Sequence, residues 1–309
     1  MLAVASPLTD RAASAAIARL GAMQAPPGYR LRVAGREHMA AIGALRVSVG
    51  WAVHTWALEA VLEPPARCVV AVTDDGEVAA VGSGISYGAL GVVGNMVVAA
   101  PHRRRGIGSA ILRAVLDFLQ EAGCTRLELY ATADGRPLYA AHGFEPADPS
   151  AMGRIPRTVA LDADPAVRVS EARPDALDAI AAYDAPRFGG DRRRLLATML
   201  SDADRRLFVA HLDDGAVAGY AWLRGEADRL GPFLADAPSV AGEILRAAFA
   251  RTPDAAQLTL NLPAANLPGT AWLRGLGVEP EPWDGRMGRG PAIRRRDDTI
   301  YGNAVGALG

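Results

Sequence analysis

The chain has 309 residues, half of them hydrophobic and 22% charged, with a formal net charge of −1. That length suits about two domains, and the near-neutral balance argues against both a disordered polyelectrolyte and a strongly basic nucleic-acid binder. All 33 Lys+Arg positions are arginine, so Schiff-base and P-loop lysine chemistry are excluded.

An alanine-rich stretch, Arg11 to Met23, reads as a helix and ends before Pro26-Pro27-Gly28, where a helix cannot continue. From Tyr29 the pattern gives a strand (Tyr29 to Val33), a helical region (Glu37 to Leu62), a strand (Arg67 to Thr73), a turn at Asp74-Asp75-Gly76 and another strand from Val78. Val78 to His102 carries no charge and is long enough to span a membrane, but repeated glycines and Asn95 divide it into two buried strands. The second of these, Val92 to Ala99, leads into the turn Arg103-Arg104-Arg105-Gly106-Ile107-Gly108-Ser109. Ile107, Ala110, Ile111, Ala114, Val115, Phe118 and Leu119 then recur at helical spacing until Gly123. A strand, Arg126 to Tyr130, and a short helix around Pro137 to Ala141 follow.

A strand, a glycine turn and a helix N-terminus together present outward N–H groups and the positive end of a helix dipole, which suits a phosphate. GxGxxG is absent and the Walker lysine does not exist here. Cys68 and Cys124 lack CxxC spacing, which fits a reducing, cytoplasmic setting. The five histidines show no paired ligand spacing, so no metal is expected. MLAVASPLTD is too soon charged for a signal peptide.

Arg103 to Gly108 resembles the R/Q-x-x-G-x-G/A signature of the GNAT N-acetyltransferases, and Leu138-Tyr139-Ala140-Ala141-His142-Gly143-Phe144 resembles that family's LYxxxGF element at the expected distance. The resemblance implies an α/β (α+β) fold of tandem GNAT units, each a mixed, mostly antiparallel twisted sheet flanked by helices. It also implies acetyl-CoA as cosubstrate, with its pyrophosphate held by Arg104, Arg105, Gly106, Ile107, Gly108 and Ser109 and supported by Arg103. The pantetheine arm would pair with Met96, Val97 and Val98, where a strand N–H near Val98 could also stabilise an oxyanion. Tyr139 matches the tyrosine that protonates the departing thiolate, and a phenol neutral at pH 7 suits that role.

Many members carry a glutamate on the strand before the turn; here Asn95 is the only polar side chain on that strand, so the candidates for deprotonation are a water held by Asn95 or a residue from the helical region. Trp51, His54, Trp56 and Glu59 fall where the family lines its acceptor site. Packing alone accounts equally well for the two tryptophans.

VTDDGEVAAV, from Val72, returns as HLDDGAVAGY, from His211; YAAHGFEP, from Tyr139, returns as LRGLGVEP, from Leu273. These matches in one order suggest a duplicated domain. The expected organisation is a helical extension (1–28), an acetyltransferase domain (29–160), a linker (Leu161 to Ala166) and a degenerate copy (167–309). In that copy Leu273 stands for Tyr139, and Ala237 to Glu243 shows no arginine-glycine signature. The copy would shape the acceptor site or form a homodimer interface. The expected activity is acetyl transfer by direct attack of a primary amine of a small molecule, such as an amino sugar, a polyamine-like compound or an amine-bearing antibiotic. A protein amine as acceptor and a non-catalytic acyl-CoA sensor are the alternatives. Neither nucleic acid nor membrane is expected as a partner.

Overall fold

A computed structural model of the chain describes residues 25–201, 206–224, 228–304 and 306–309. The helix expected over Arg11 to Met23 lies outside them. The chain divides into two compact units, one running through Ser86 and resuming at Gly91–Cys124, the other made of Tyr87–Leu90 and Thr125–Gly309.

In the first unit β1 (Tyr29–Val33), β2 (Ala66–Thr73), β3 (Val78–Ser86) and β4 (Leu90–Val98) lie in that order, every neighbour antiparallel. The uncharged stretch from Val78 is therefore a pair of buried strands; among the described residues no helix is long and apolar enough to cross a membrane. The helical region after β1 breaks at Gly50, whose φ is +76°, into α1 (Met39–Ser48) and α2 (Thr55–Leu62). After β4 comes α3 (Ile107–Glu121), which packs on β2 and β3. Its apolar positions at three- and four-residue spacing are the buried ones, as an amphipathic helix on a sheet requires. The contact is close enough that a Cβ on Gly82 would meet Met96 and, at 2.5 Å, Ile111 Cγ2.

The second unit opens with β5 (Arg126–Tyr130), α4 (Arg136–Ala140), β6 (Glu145–Pro146) and β7 (Ser150–Pro156). It continues through β8 (Val167–Glu171), α5 (Leu177–Phe188), α6 (Arg193–Ser201), β9 (Arg206–Leu212), β10 (Val217–Arg224), β11 (Arg229–Ala235) and α7 (Pro238–Arg251). β12 (Gln257–Pro263), α8 (Leu267–Gly275), β13 (Glu281–Trp283), β14 (Arg286–Arg289) and β15 (Ile300–Gly302) complete it. The large sheet has the order β13-β7-β12-β11-β10-β9-β8, with only β11 and β12 parallel. α7 packs on β8 to β11, burying Val240, Ala241, Ile244, Leu245 and Ala248 with Phe208, Phe233 and Leu258.

The repeat inferred from the sequence is visible in this order. The Asp213-Asp214-Gly215 turn joins β9 to β10 as Asp74-Asp75-Gly76 joins β2 to β3, and Leu273 on α8 occupies the place that Tyr139 has on α4.

Strands pair across the boundary expected at residues 160–167. β7, drawn in the first domain, pairs along its whole length with β12, from Ser150↔Pro263 to Pro156↔Gln257. β14, drawn in the second, lies between β5 and β6. Charge fixes this exchange: the buried Glu128 of β5 accepts from Arg286 Nη2 at 2.7 Å and from Arg295 Nη1 at 2.9 Å, as well as from Arg126 Nε at 3.1 Å. A buried carboxylate without those cations would be costly, so β14 is drawn to the strand that carries Glu128.

Candidate active site

The arginine turn lies in the first unit. Strand β4 ends at Val98, a short 3-10 turn covers Ala100–His102, and α3 begins at Ile107. Arg104 has φ +62° and Gly106, the N-cap of α3, has φ +80°. Left-handed residues alternating with ordinary ones turn successive N–H groups toward one side and form an anion-binding concavity. A helical hydrogen bond runs from Ala110 N–H to Gly106 O at 3.1 Å, and the N–H groups of Ile107 and Gly108 fall in the first turn, where no intrahelical acceptor exists. Arg103, Arg104 and Arg105 are exposed, and the first turn of α3 holds no acidic residue. This donor set fits a diphosphate.

The turn is braced from beneath. Arg103 Nε donates to Val98 O at 3.1 Å. Tyr29 Oη and His102 Nδ1 lie 2.8 Å apart, His102 Nε2 lies 3.4 Å from Glu77 Oε2, and Arg105 Nη1 donates to Tyr29 Oη at 3.4 Å. In the sequence Tyr29 reads only as part of a strand, and His102 carries no motif. Neither carries a local signal, because they meet across 73 residues.

Strand β4 bulges where the reacting group is expected. Val81 faces Val97 but Ser83 faces Gly94, so Asn95 and Met96 stand against the single Gly82, and Asn95 takes φ +54°. Such a bulge re-aims side chains and backbone. Met96 and Val98 are half-buried, whereas Val97 is buried.

Asn95 is buried, and its side chain is engaged at each end: its Oδ1 accepts from Arg46 Nη1, and its Nδ2 donates to Ser83 Oγ at 2.9 Å. Asn95 therefore pins the bulge. Arg46, on α1, was not singled out from the sequence. Its Nε and Nη2 both donate to Ala52 O, at 3.1 and 2.8 Å, and its guanidinium lies 5.5 Å from the centre of the Trp51 ring. Burial pulls this guanidinium below its ordinary pKa, since leaving water disfavours the charged form.

The segment between α1 and α2 places the acceptor-site candidates. Trp51 and His54 are half-buried, Trp56 is buried on α2, and the His54 and Trp56 rings are 6.5 Å apart. Glu59 Oε1 accepts from Arg36 Nη1 at 3.1 Å, a pairing exposed to solvent and of small energetic weight.

Tyr139 belongs to the second unit, on α4. It is 7% exposed, packs edge-on against Phe144 at 6.1 Å, and touches the turn at Gly135. Burial pushes its phenol up to about 12, so it holds its proton throughout the neutral range. Both cysteines are buried; desolvation raises Cys68 to about 12 and also raises Cys124, whose Sγ donates to Ser86 Oγ at 3.3 Å. Neither is a nucleophile at neutral pH.

A sequence profile described as "Acetyltransferase (GNAT) family" matches residues 37–144, and a second, "Acetyltransferase (GNAT) domain", matches residues 180–302. Between them they span most of the chain, which belongs to the GNAT acetyltransferase family and carries two copies of its domain. No curated protein matches it.

Among solved structures it is similar to a candidate acetyltransferase from Pyrococcus horikoshii, with a TM-score of 0.78 and 21% identity, covering 93% of this chain and 98% of that one. A tandem GNAT protein from the clavulanic acid biosynthesis pathway gives a TM-score of 0.59 and 13% identity, covering 85% and 99%. A GCN5-related N-acetyltransferase from Sphaerobacter thermophilus gives 0.57 and 16%, covering 92% and 100%. At these identities the likeness is one of fold, and it is the tandem fold in full.

Proposed function

We propose that the protein is an acetyl-CoA-dependent N-acetyltransferase whose acceptor is a primary amine of a small molecule. The observation that carries this reading is the turn Arg103–Gly106 at the head of α3, with left-handed Arg104 and Gly106, three exposed guanidiniums and no acid in the first helical turn. Arg104 to Ser109 would hold the diphosphate through backbone N–H groups, and the edge of β4 at Met96 to Val98 would receive the pantetheine arm. Acetyl-CoA supplies an activated carbonyl and a thiolate leaving group.

With acetyl-CoA bound, the amine nitrogen would form its bond to the acyl carbon as the carbon–sulfur bond broke, and its surplus proton would pass to water. A β4 N–H near Val98 would stabilise charge on the carbonyl oxygen, and Tyr139 would give its proton to the departing sulfur. With Asn95 engaged at each end, deprotonation of the amine would fall to solvent or to a residue of the helical region such as His54 or Glu59. The degenerate second copy would shape the acceptor site or form a dimer interface.

The engaged Asn95 also favours a second reading, an acyl-CoA-binding protein without turnover. Assaying a panel of amines for release of free CoA separates the two. Turnover of any amine supports the enzyme; acetyl-CoA binding with no turnover across amino sugars, polyamines and aminoglycoside-type amines supports the sensor.

A further inference from the structure

The second unit contains a wedge between two strands, and the chain itself fills it. β11 and β12 run parallel, yet they are in register only at Arg229↔Thr259, where Thr259 N–H donates to Asp228 O at 2.7 Å. Beyond that point the strands part, and their backbone groups need other partners. The C-terminal strand supplies them. On one side Phe233 pairs with Gly302 and Leu234 with Ile300; on the other, Asn303 N–H donates to Asn261 O at 2.9 Å. From the head of α8, the buried Asn266 donates through Nδ2 to Ile300 O at 2.8 Å.

The fit leaves no slack. A Cβ on Gly302 would lie 2.5 Å from Leu230 O, and one on Gly231 would run into Asn303 O. The Tyr301 ring sits 5.4 Å from Phe233 and 5.7 Å from Trp272, and Ile300, Tyr301, Ala304 and Leu308 are buried.

We propose that residues 300–304 are the built-in occupant of this wedge and close the second repeat to any acyl-CoA. This rests on the reading of the first repeat: β11 leads into α7 as β4 leads into α3, so an acyl-CoA arm would need the β11 edge that Phe233 and Leu234 give to β15. The head of α7 agrees, because Pro238 stands in its first turn and brings no N–H, where α3 opens on Gly106. The second copy is therefore closed at the strand as well as altered at the turn, and its C-terminal segment takes the place of a ligand.

Amide hydrogen exchange on the full chain tests this, with and without saturating acetyl-CoA, beside calorimetric stoichiometry. The Asn303 amide should exchange as slowly as those of the β9–β10 ladder whether or not acetyl-CoA is present, with no more than one site per chain. Exchange of Asn303 at an open-coil rate, or a rise in its rate on adding acetyl-CoA together with a second site, would overturn the proposal. Gly231→Val drives a side chain into Asn303 O and should speed Asn303 exchange by at least about tenfold while β9–β10 stays protected. Tyr301→Ser, which removes packing without that steric push, should act in the same direction. Unchanged exchange in both variants would again count against a seated strand. If no acetyl-CoA binds and Asn303 is still protected, the occupant stands and the reading of the first repeat falls.

Discussion

The guanidinium of Arg46 donates to the carboxamide oxygen of Asn95, tying helix α1 to the bulge in β4. The same guanidinium holds Ala52 O with two further N–H groups, so one side chain joins the strand that would receive the acyl group to the segment bearing Trp51 and His54. Removing one partner leaves buried polar groups unpaired, which costs about 1–3 kcal/mol. Asn95→Ala and Arg46→Met should each lower the free energy of urea unfolding by an amount in that range, with Arg46→Lys recovering part of the loss. Turnover lost with stability intact in Asn95→Ala would instead return Asn95 to the proton relay.

Tyr139→Phe should lower turnover by about a hundredfold and leave acetyl-CoA affinity unchanged, read by CoA release and calorimetry. Because burial holds its phenol near pH 12 rather than 10, no falling limb in the rate should come from Tyr139 below pH 10. The sign for stability follows from the raised pKa: the protonated form is favoured in the fold, so its contribution is whole below pH 10 and is lost as pH rises toward 12. A rate limb near pH 8 that disappears in Tyr139→Phe would contradict this.

Much of the first unit was legible locally. The turn at Asp74-Asp75-Gly76 and the helix from Ile107 are set by residues within a few positions of one another, and β1 falls on Tyr29–Val33 as the alternation predicts. The exchanged strands were not, because β14 is four residues, RMGR, with no apolar period. What places it is Glu128, 158 residues away from Arg286. Likewise Arg46 lies between Leu45 and Val47 on an apolar helix, and nothing nearby in sequence announces Asn95. The two motifs gave the turn and Tyr139; the side chains bracing the turn required the fold.

The cysteines give a third prediction. Cys68 and Cys124 should resist alkylation at pH 8 in the folded protein and react in urea, since burial keeps both thiols protonated. Intact-mass measurement after iodoacetamide reads this directly, and rapid labelling of native Cys124 would reopen an acyl-cysteine route.

Fourth, the second unit is pinned by a buried triad. Arg192 donates to Asp184 through Nε at 3.1 Å and Nη2 at 2.6 Å, and Tyr220 Oη donates to Asp184 Oδ1 at 2.5 Å. Asp184→Asn leaves Arg192 without its counter-charge and should cost about 3–5 kcal/mol. Urea unfolding should show that loss while acetyl-CoA affinity under native conditions stays unchanged, because the arginine turn proposed to hold the diphosphate lies in the other unit.

The most direct test is calorimetric titration of the intact protein with acetyl-CoA, beside Gly106→Val. Gly106 caps α3 at φ +80°, a conformation that a β-branched residue avoids. Binding at one site per chain, weakened at least about tenfold in the variant with its unfolding midpoint little changed, is the predicted result. Absence of binding in the intact protein, or equal affinity in the variant, would contradict the account.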